Sequence, residues 1–174
     1  MFISISHSVN AQEKIRWNDS INLSWKDFKA RAVKSSPMAA ETYTRTEFGM
    51  SFQEGEFSWK VDCYFSPQNS WVKAELKSDD LLSHEQLHFA IAELNARKIR
   101  KKMAELELNS MKDSKKLQKT FEEGLKELAE TQKLYDKETD HGLNDIPQKD
   151  WEQKVMSTLE KYKSFSSSKY NFDK

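Results

Sequence analysis

The chain has 174 residues, of which 37% are hydrophobic and 32% charged, enough for one domain with a real core and too few to expect two. Lysine plus arginine and aspartate plus glutamate both number 28, so no net field draws the whole molecule onto nucleic acid or an anionic membrane. The single Cys63 excludes an internal disulfide framework, and no stretch approaches the roughly 20 apolar residues of a membrane-spanning helix.

Residues 1–11 (MFISISHSVNA) end in Val9-Asn10-Ala11, which resembles the small-residue pattern before a signal-peptidase cut, and read as a signal-peptide remnant without its basic start, the alternative being a frayed cytoplasmic terminus. A single domain is expected over residues 12–163, with a flexible tail at 164–174. Apolar residues alternate from Ile15 to Leu23. Ser24 and Asp27 then have the spacing of a capping box, which predicts a short helix in SWKDFKARA, closed by Ser35-Ser36-Pro37. Alternation at Thr42, Thr44, Thr46, Phe48, Met50 and Phe52, a Glu54-Gly55 turn, and a second alternating run from Phe57 to Phe65 predict a β-hairpin.

From Ser78 the pattern changes to helical. Ser78 is a candidate N-cap, and Asp79 and Asp80 suit a first turn. The helix is expected to run to about Leu108, with Ile91, Leu94, Ile99, Met103 and Leu106 on one broad face that also carries His84 and His88. Asn109-Ser110 reads as a break, and Ser110 with Asp113 as the cap of a second helix with the stripe Leu117, Phe121, Leu125, Leu128 and Tyr135. The two helices should form an antiparallel hairpin. Gly142 and Pro147 interrupt the pattern, and Trp151, Val155, Leu159 and Tyr162 mark a last amphipathic helix.

Residues 84 to 88 read His-Glu-Gln-Leu-His, the HExxH pattern. Positions i and i+4 of a helix lie one above the other, so two imidazoles can bind one Zn2+ while the intervening Glu85 reaches a water and acts as general base. The plainer reading is two buried histidines satisfied by ordinary hydrogen bonds. A catalytic zinc needs a third protein ligand. His84 and Asp136 lie equally far in sequence from Ser110, so two helices of equal rise bring the run Tyr135–Gly142 back beside the motif. His141 is the first choice for the third ligand and Glu138 the runner-up. Asp136 is a candidate for orienting a ligand imidazole. Tyr135 is a candidate oxyanion donor, although it also continues an apolar stripe. The basic run Arg97–Lys102 (RKIRKK) has Glu105 and Glu107 nearby and reads as a solvated arm. Cys63 reads as a buried small hydrophobe, and the Phe57–Phe65 strand could offer an edge to an extended peptide.

The segment LLSHEQLHFAIAELNARKIRKK, the later YDKETDHG, Gln148, Trp151 and the early SWKDFKA together resemble a bacterial family of predicted secreted zinc-dependent proteases of the zincin type. The likeness runs from about Trp17 to Leu159. It implies an extracytoplasmic location and a zincin-like α+β fold: a small antiparallel sheet, a long antiparallel helix hairpin carrying HExxH, and a C-terminal helix. It also implies zinc on His84 and His88, Glu85 as general base, and the family's second His-Gly at His141 and Gly142. One departure is Ala90, two places after the second histidine, where relatives often carry an acid. The expected activity is zinc-dependent hydrolysis of peptide bonds in a protein or peptide substrate, with no nucleic-acid partner and no membrane span. The alternatives are a non-catalytic binding protein on the same scaffold and a helical adaptor.

Overall fold

The computed structural model describes residues 13–53, 56–108 and 113–171. The expected signal remnant, the Glu54-Gly55 turn and the Ser110 cap lie outside the described residues. The fold is α+β. Its strands are β1 (Ile15–Arg16), β2 (Ala40–Glu41), β3 (Thr44–Gln53), β4 (Glu56–Phe65) and β5 (Trp71–Val72). Helices α1 (Asp79–Ala104), α2 (Ser114–Thr139) and α3 (Asp145–Lys161) follow, and then β6 (Lys169–Asn171).

The predicted hairpin is β3–β4, paired antiparallel from Thr44↔Phe65 to Gln53↔Glu56. Strands β1 and β6 pair with the other side of β4, and β2 pairs with β5 in a separate two-stranded ladder. Strand alternation decides the inner face: Phe57, Trp59, Val61, Cys63 and Phe65 of β4 are all buried, as a half-buried strand requires. Against them lie Phe89, Ala92, Ala96, Ile99 and Met103 of α1.

The opposite side of α1 is buried too. Leu87, Ala90, Ile91 and Leu94 pack with Tyr135 of α2 and with Trp151, Val155 and Leu159 of α3. The expected single apolar face is therefore two faces, and α1 is a central helix covered on both sides, as its run of buried residues from Phe89 to Arg97 demands. Ser78 caps it as expected, its side chain accepting from the Leu81 N–H. The helix stops at Ala104 rather than near Leu108, because the Leu106 N–H turns back to the Met103 carbonyl. Helix α2 runs antiparallel to α1. Leu117 and Tyr135 are buried as expected, but Leu125 is exposed. Gly124 faces α1 in its place, so close that a Cβ there would overlap Ile99.

Three further expectations change. No helix forms over SWKDFKARA. Ser24 does meet Asp27, both its N–H and its hydroxyl donating to the carboxylate, but the contact closes a turn, with the Asp27 N–H on the Ser24 carbonyl. The RKIRKK run is not a solvated arm, since Arg97 and Arg100 are buried. The segment after residue 163 is not simply loose: β6 joins the sheet, and Tyr170 stacks on Trp59 with ring centroids 4.4 Å apart. Among the described residues no helix is long and apolar enough to cross a membrane.

Candidate metal centre

The HExxH pentapeptide occupies the second and third turns of α1, and its five side chains go to different places. His84 is buried and His88 nearly so. Gln86 reaches back to the N-terminal segment, accepting from the Leu23 N–H at 2.8 Å and donating to Asn22 Oδ1 at 3.2 Å. Leu87 enters the apolar cluster toward α3. Glu85 is 4% exposed, and its Oε2 has no hydrogen-bond partner.

The antiparallel hairpin delivers the partner residues. Counting outward from Ser110 sets Asp136 beside His84, and the same count sets Gln132 beside His88. Asp136 Oδ1 lies 3.3 Å from His84 Nε2 and 3.0 Å from His88 Nε2, and the two Nε2 atoms are 3.1 Å apart. Each remaining ring nitrogen faces a glutamine oxygen: His84 Nδ1 is 3.2 Å from Gln148 Oε1, and His88 Nδ1 is 2.6 Å from Gln132 Oε1. Both glutamines are fixed by a second contact. Gln132 Nε2 donates to the His88 carbonyl at 2.9 Å, and Gln148 Oε1 also accepts from the Tyr135 hydroxyl at 2.7 Å. A carbonyl oxygen only accepts, so each imidazole carries its proton on Nδ1 and turns the lone pair of Nε2 inward.

Three acceptor atoms therefore converge with no donor among them. Asp136 Oδ1 is buried without a hydrogen-bond partner. Such a cluster is costly unless a proton or a cation sits within it. Its dimensions match a metal. Tetrahedral zinc with ligand bonds near 2.05 Å separates its ligand atoms by about 3.3 Å, and the three separations here are 3.0, 3.1 and 3.3 Å. His84, His88 and Asp136 form a metal-competent group among the described residues. Without a metal, protons answer part of the same demand. Burial alone would lower the His88 pKa, but contact with Asp136 and the nearby Glu85 raise it above its ordinary value. Burial alone would likewise raise the Asp136 carboxyl, yet the two imidazoles hold it below the usual carboxylate range.

The other expected residues fall differently. Asp136, expected behind the ligands, stands among them. His141, the first choice for third ligand, is one layer out, with Nδ1 3.6 Å from Asp136 Oδ1 and a half-exposed side chain. The cause is local: α2 ends at Thr139, and Asp140, His141 and Gly142 all adopt positive φ (47°, 56° and 84°), which takes His141 off the helical face that carries Asp136. Gly142 is required there, because a Cβ would come 2.9 Å from His84 Cβ and Cγ. Glu138 turns away, its Oε2 accepting from Trp151 Nε1 at 2.7 Å. Tyr135 is no oxyanion donor in this geometry. It is fully buried behind His84, with ring centroids 4.6 Å apart, and its hydroxyl is used by Gln148 and the His84 carbonyl. Burial pushes that phenol well above its usual pKa. Ala90 sits in the apolar cluster between α1 and α3.

The centre opens onto a cleft of about 1170 Å³ whose lining includes residues 37–44 and His141–Leu143 together with His84, Glu85, His88 and Asp136. The Thr42 hydroxyl donates to the Glu85 carbonyl at 3.1 Å and ties residues 37–44 to α1.

Residues 59–142, from β4 through Gly142, match a family described as a bacterial protein of unknown function (DUF922). The matched segment contains HExxH, Gln132, Asp136 and His141-Gly142, and leaves out α3 with Gln148. No curated protein and no solved structure matches the chain.

Proposed function

We propose that this chain is a zinc metallopeptidase in which His84, His88 and Asp136 hold the metal and Glu85 is the general base. One observation carries the reading: three acceptor atoms converge without a donor on an open cleft that Glu85, with a buried carboxylate oxygen that has no partner, also lines. Bound there, zinc would polarise a substrate carbonyl and make water acidic near neutral pH. Glu85 then takes the proton of the attacking water on its free oxygen and returns it to the departing amine. Gln148 and Gln132 hold the imidazoles in the tautomer that presents Nε2. His141 lines the cleft where Tyr135 does not, and its ring N–H would donate to the carbonyl oxygen as negative charge develops there. The extracytoplasmic location implied by the sequence resemblance suits such an activity.

The test is peptide hydrolysis by zinc-loaded wild type and Glu85→Gln, with products of a mixed peptide pool read by mass spectrometry. The wild type should cleave, and Glu85→Gln should be slower by about 10²- to 10⁴-fold at unchanged zinc content. Equal rates from the two proteins, or no cleavage by a fully zinc-loaded wild type, would overturn the assignment.

A further inference from the structure

We infer that the cleft selects cationic peptides, with lysine or arginine side chains flanking the bond held at the metal centre. The inference rests on the metallopeptidase reading of the same site and adds the substrate class to it.

The argument starts from charge. The acidic residues Glu41, Asp80 and Asp145 line the cleft in addition to Glu85 and Asp136, and none of its lining residues is lysine or arginine, although the chain holds 28 of them. Among the described residues, Glu41, Asp80 and Asp145 form no ion pair with a basic side chain. Glu41 instead accepts from Trp71 Nε1 at 2.8 Å. Asp80 and Asp145 begin α1 and α3, where helix dipoles favour acids whatever the function. That account does not reach Glu41, which lies on β2. Nor does it reach Glu85, a buried residue of the same lining whose Oε2 has no hydrogen-bond partner. The two positive charges of a bound zinc would offset Glu85 and Asp136. The other three carboxylates, one each from β2, α1 and α3, then leave the mouth negative, and a concave wall of one sign focuses its field on an incoming charge.

The walls are not purely polar. Met38, Leu76 and Leu143 share the lining, and Leu143 is 78% exposed. An aliphatic stem ending in a positive charge matches that mixture, because the stem covers apolar surface while the head stays with the carboxylates.

The experiment uses one hexapeptide scaffold with Lys, Gln or Glu on either side of its central bond. Binding is followed by fluorescence anisotropy on zinc-loaded Glu85→Gln, and cleavage on zinc-loaded wild type. The Lys peptide should bind about tenfold more tightly than the Gln peptide, with the Glu peptide weakest, and the preference should shrink at high salt. Adding Glu41→Gln, Asp80→Asn and Asp145→Asn together should remove the preference while zinc content stays unchanged. Equal affinity for the three peptides, or a preference that survives the triple substitution, overturns the inference. Should the triple variant fail to fold, the comparison of the three peptides on the parent protein still decides. Charge-selective binding without any cleavage by wild type would keep this inference and sink the peptidase reading. Cleavage of all three peptides alike would do the reverse.

Discussion

Glu85 and Glu93 lie about two turns apart on α1 and are equally buried, at 4% and 2% exposed, yet their surroundings are opposite. Glu93 Oε1 accepts from Arg97 Nε at 2.9 Å and Arg100 Nη1 at 2.8 Å, and its Oε2 from Arg100 Nη2 at 3.3 Å. The two guanidiniums go on to the carbonyls of Leu159, Val61 and Phe165 and to Asp19. Every charge there is answered, and the network ties together the N-terminal segment, the sheet and the C-terminal end. At Glu85 an oxygen is left without a partner, next to three inward-facing acceptors. The contrast separates two uses of buried charge. A fully paired network fixes structure, whereas an unanswered one costs stability and is retained for what it can bind.

Substituting the two glutamates puts the contrast under strain. Glu93→Ala strands two buried guanidiniums and should cost about 3 to 5 kcal/mol, read as a fall in the denaturant midpoint. Glu85→Gln removes a charge that no ion pair answers among the described residues and should leave the metal-free protein within about 1 kcal/mol of wild type, or more stable. A large loss at Glu85 would mean that its carboxylate has a structural partner.

Next in size is the approach of the two long helices. Gly124→Ala must displace Ile99 and should cost about 1 to 3 kcal/mol, with Ile99→Ala in the same chain restoring part of it. No effect would mean that the helices are less closely packed than they stand here. Smaller again is the role of the glutamines. Gln148→Ala should weaken zinc binding about 10- to 100-fold in a chelator competition, whereas a change in melting temperature alone would leave it only a packing role.

The smallest expected effect is the pH dependence of the metal-free protein. His88 is raised above 6.5, so its contribution to stability is complete below pH 6.5 and is lost as pH rises through the raised value. Asp136 is lowered from 3.8, so its contribution is complete above pH 3.8 and is lost as pH falls through the lowered value. The pair thus stabilises the metal-free fold most between those limits, and melting temperature should decline as pH rises above about 6.5. Zinc-loaded protein should respond in the opposite sense, because protons compete with the metal for both imidazoles.

Much of this arrangement was legible in the sequence, because it rests on periodicity and on distance along the chain. The HExxH spacing placed His84 and His88 on one face, and equal separations from Ser110 set Asp136 beside His84. What failed depended on information that spacing does not carry. The choice of His141 over Asp136 turned on three successive positive φ angles after Thr139. The Ser24–Asp27 pair fits a helix cap and a turn equally well, and tertiary contacts decided for the turn, with Phe28 packed on Phe65 at 5.2 Å. The buried arginines did leave a signal: Glu93, Arg97 and Arg100 stand at i, i+4 and i+7, a single helical stripe, but the neighbouring lysines masked it. Gln132 needed only the hairpin count already applied to Asp136.

Zinc stoichiometry by elemental analysis of wild type, His88→Ala, Asp136→Asn and His141→Ala, each after mild dialysis, tests the central claim most directly. The account predicts about one zinc per wild-type chain, lost with His88→Ala and Asp136→Asn and kept with His141→Ala. A wild type that takes up no added zinc, or zinc retained in Asp136→Asn but lost in His141→Ala, would contradict it.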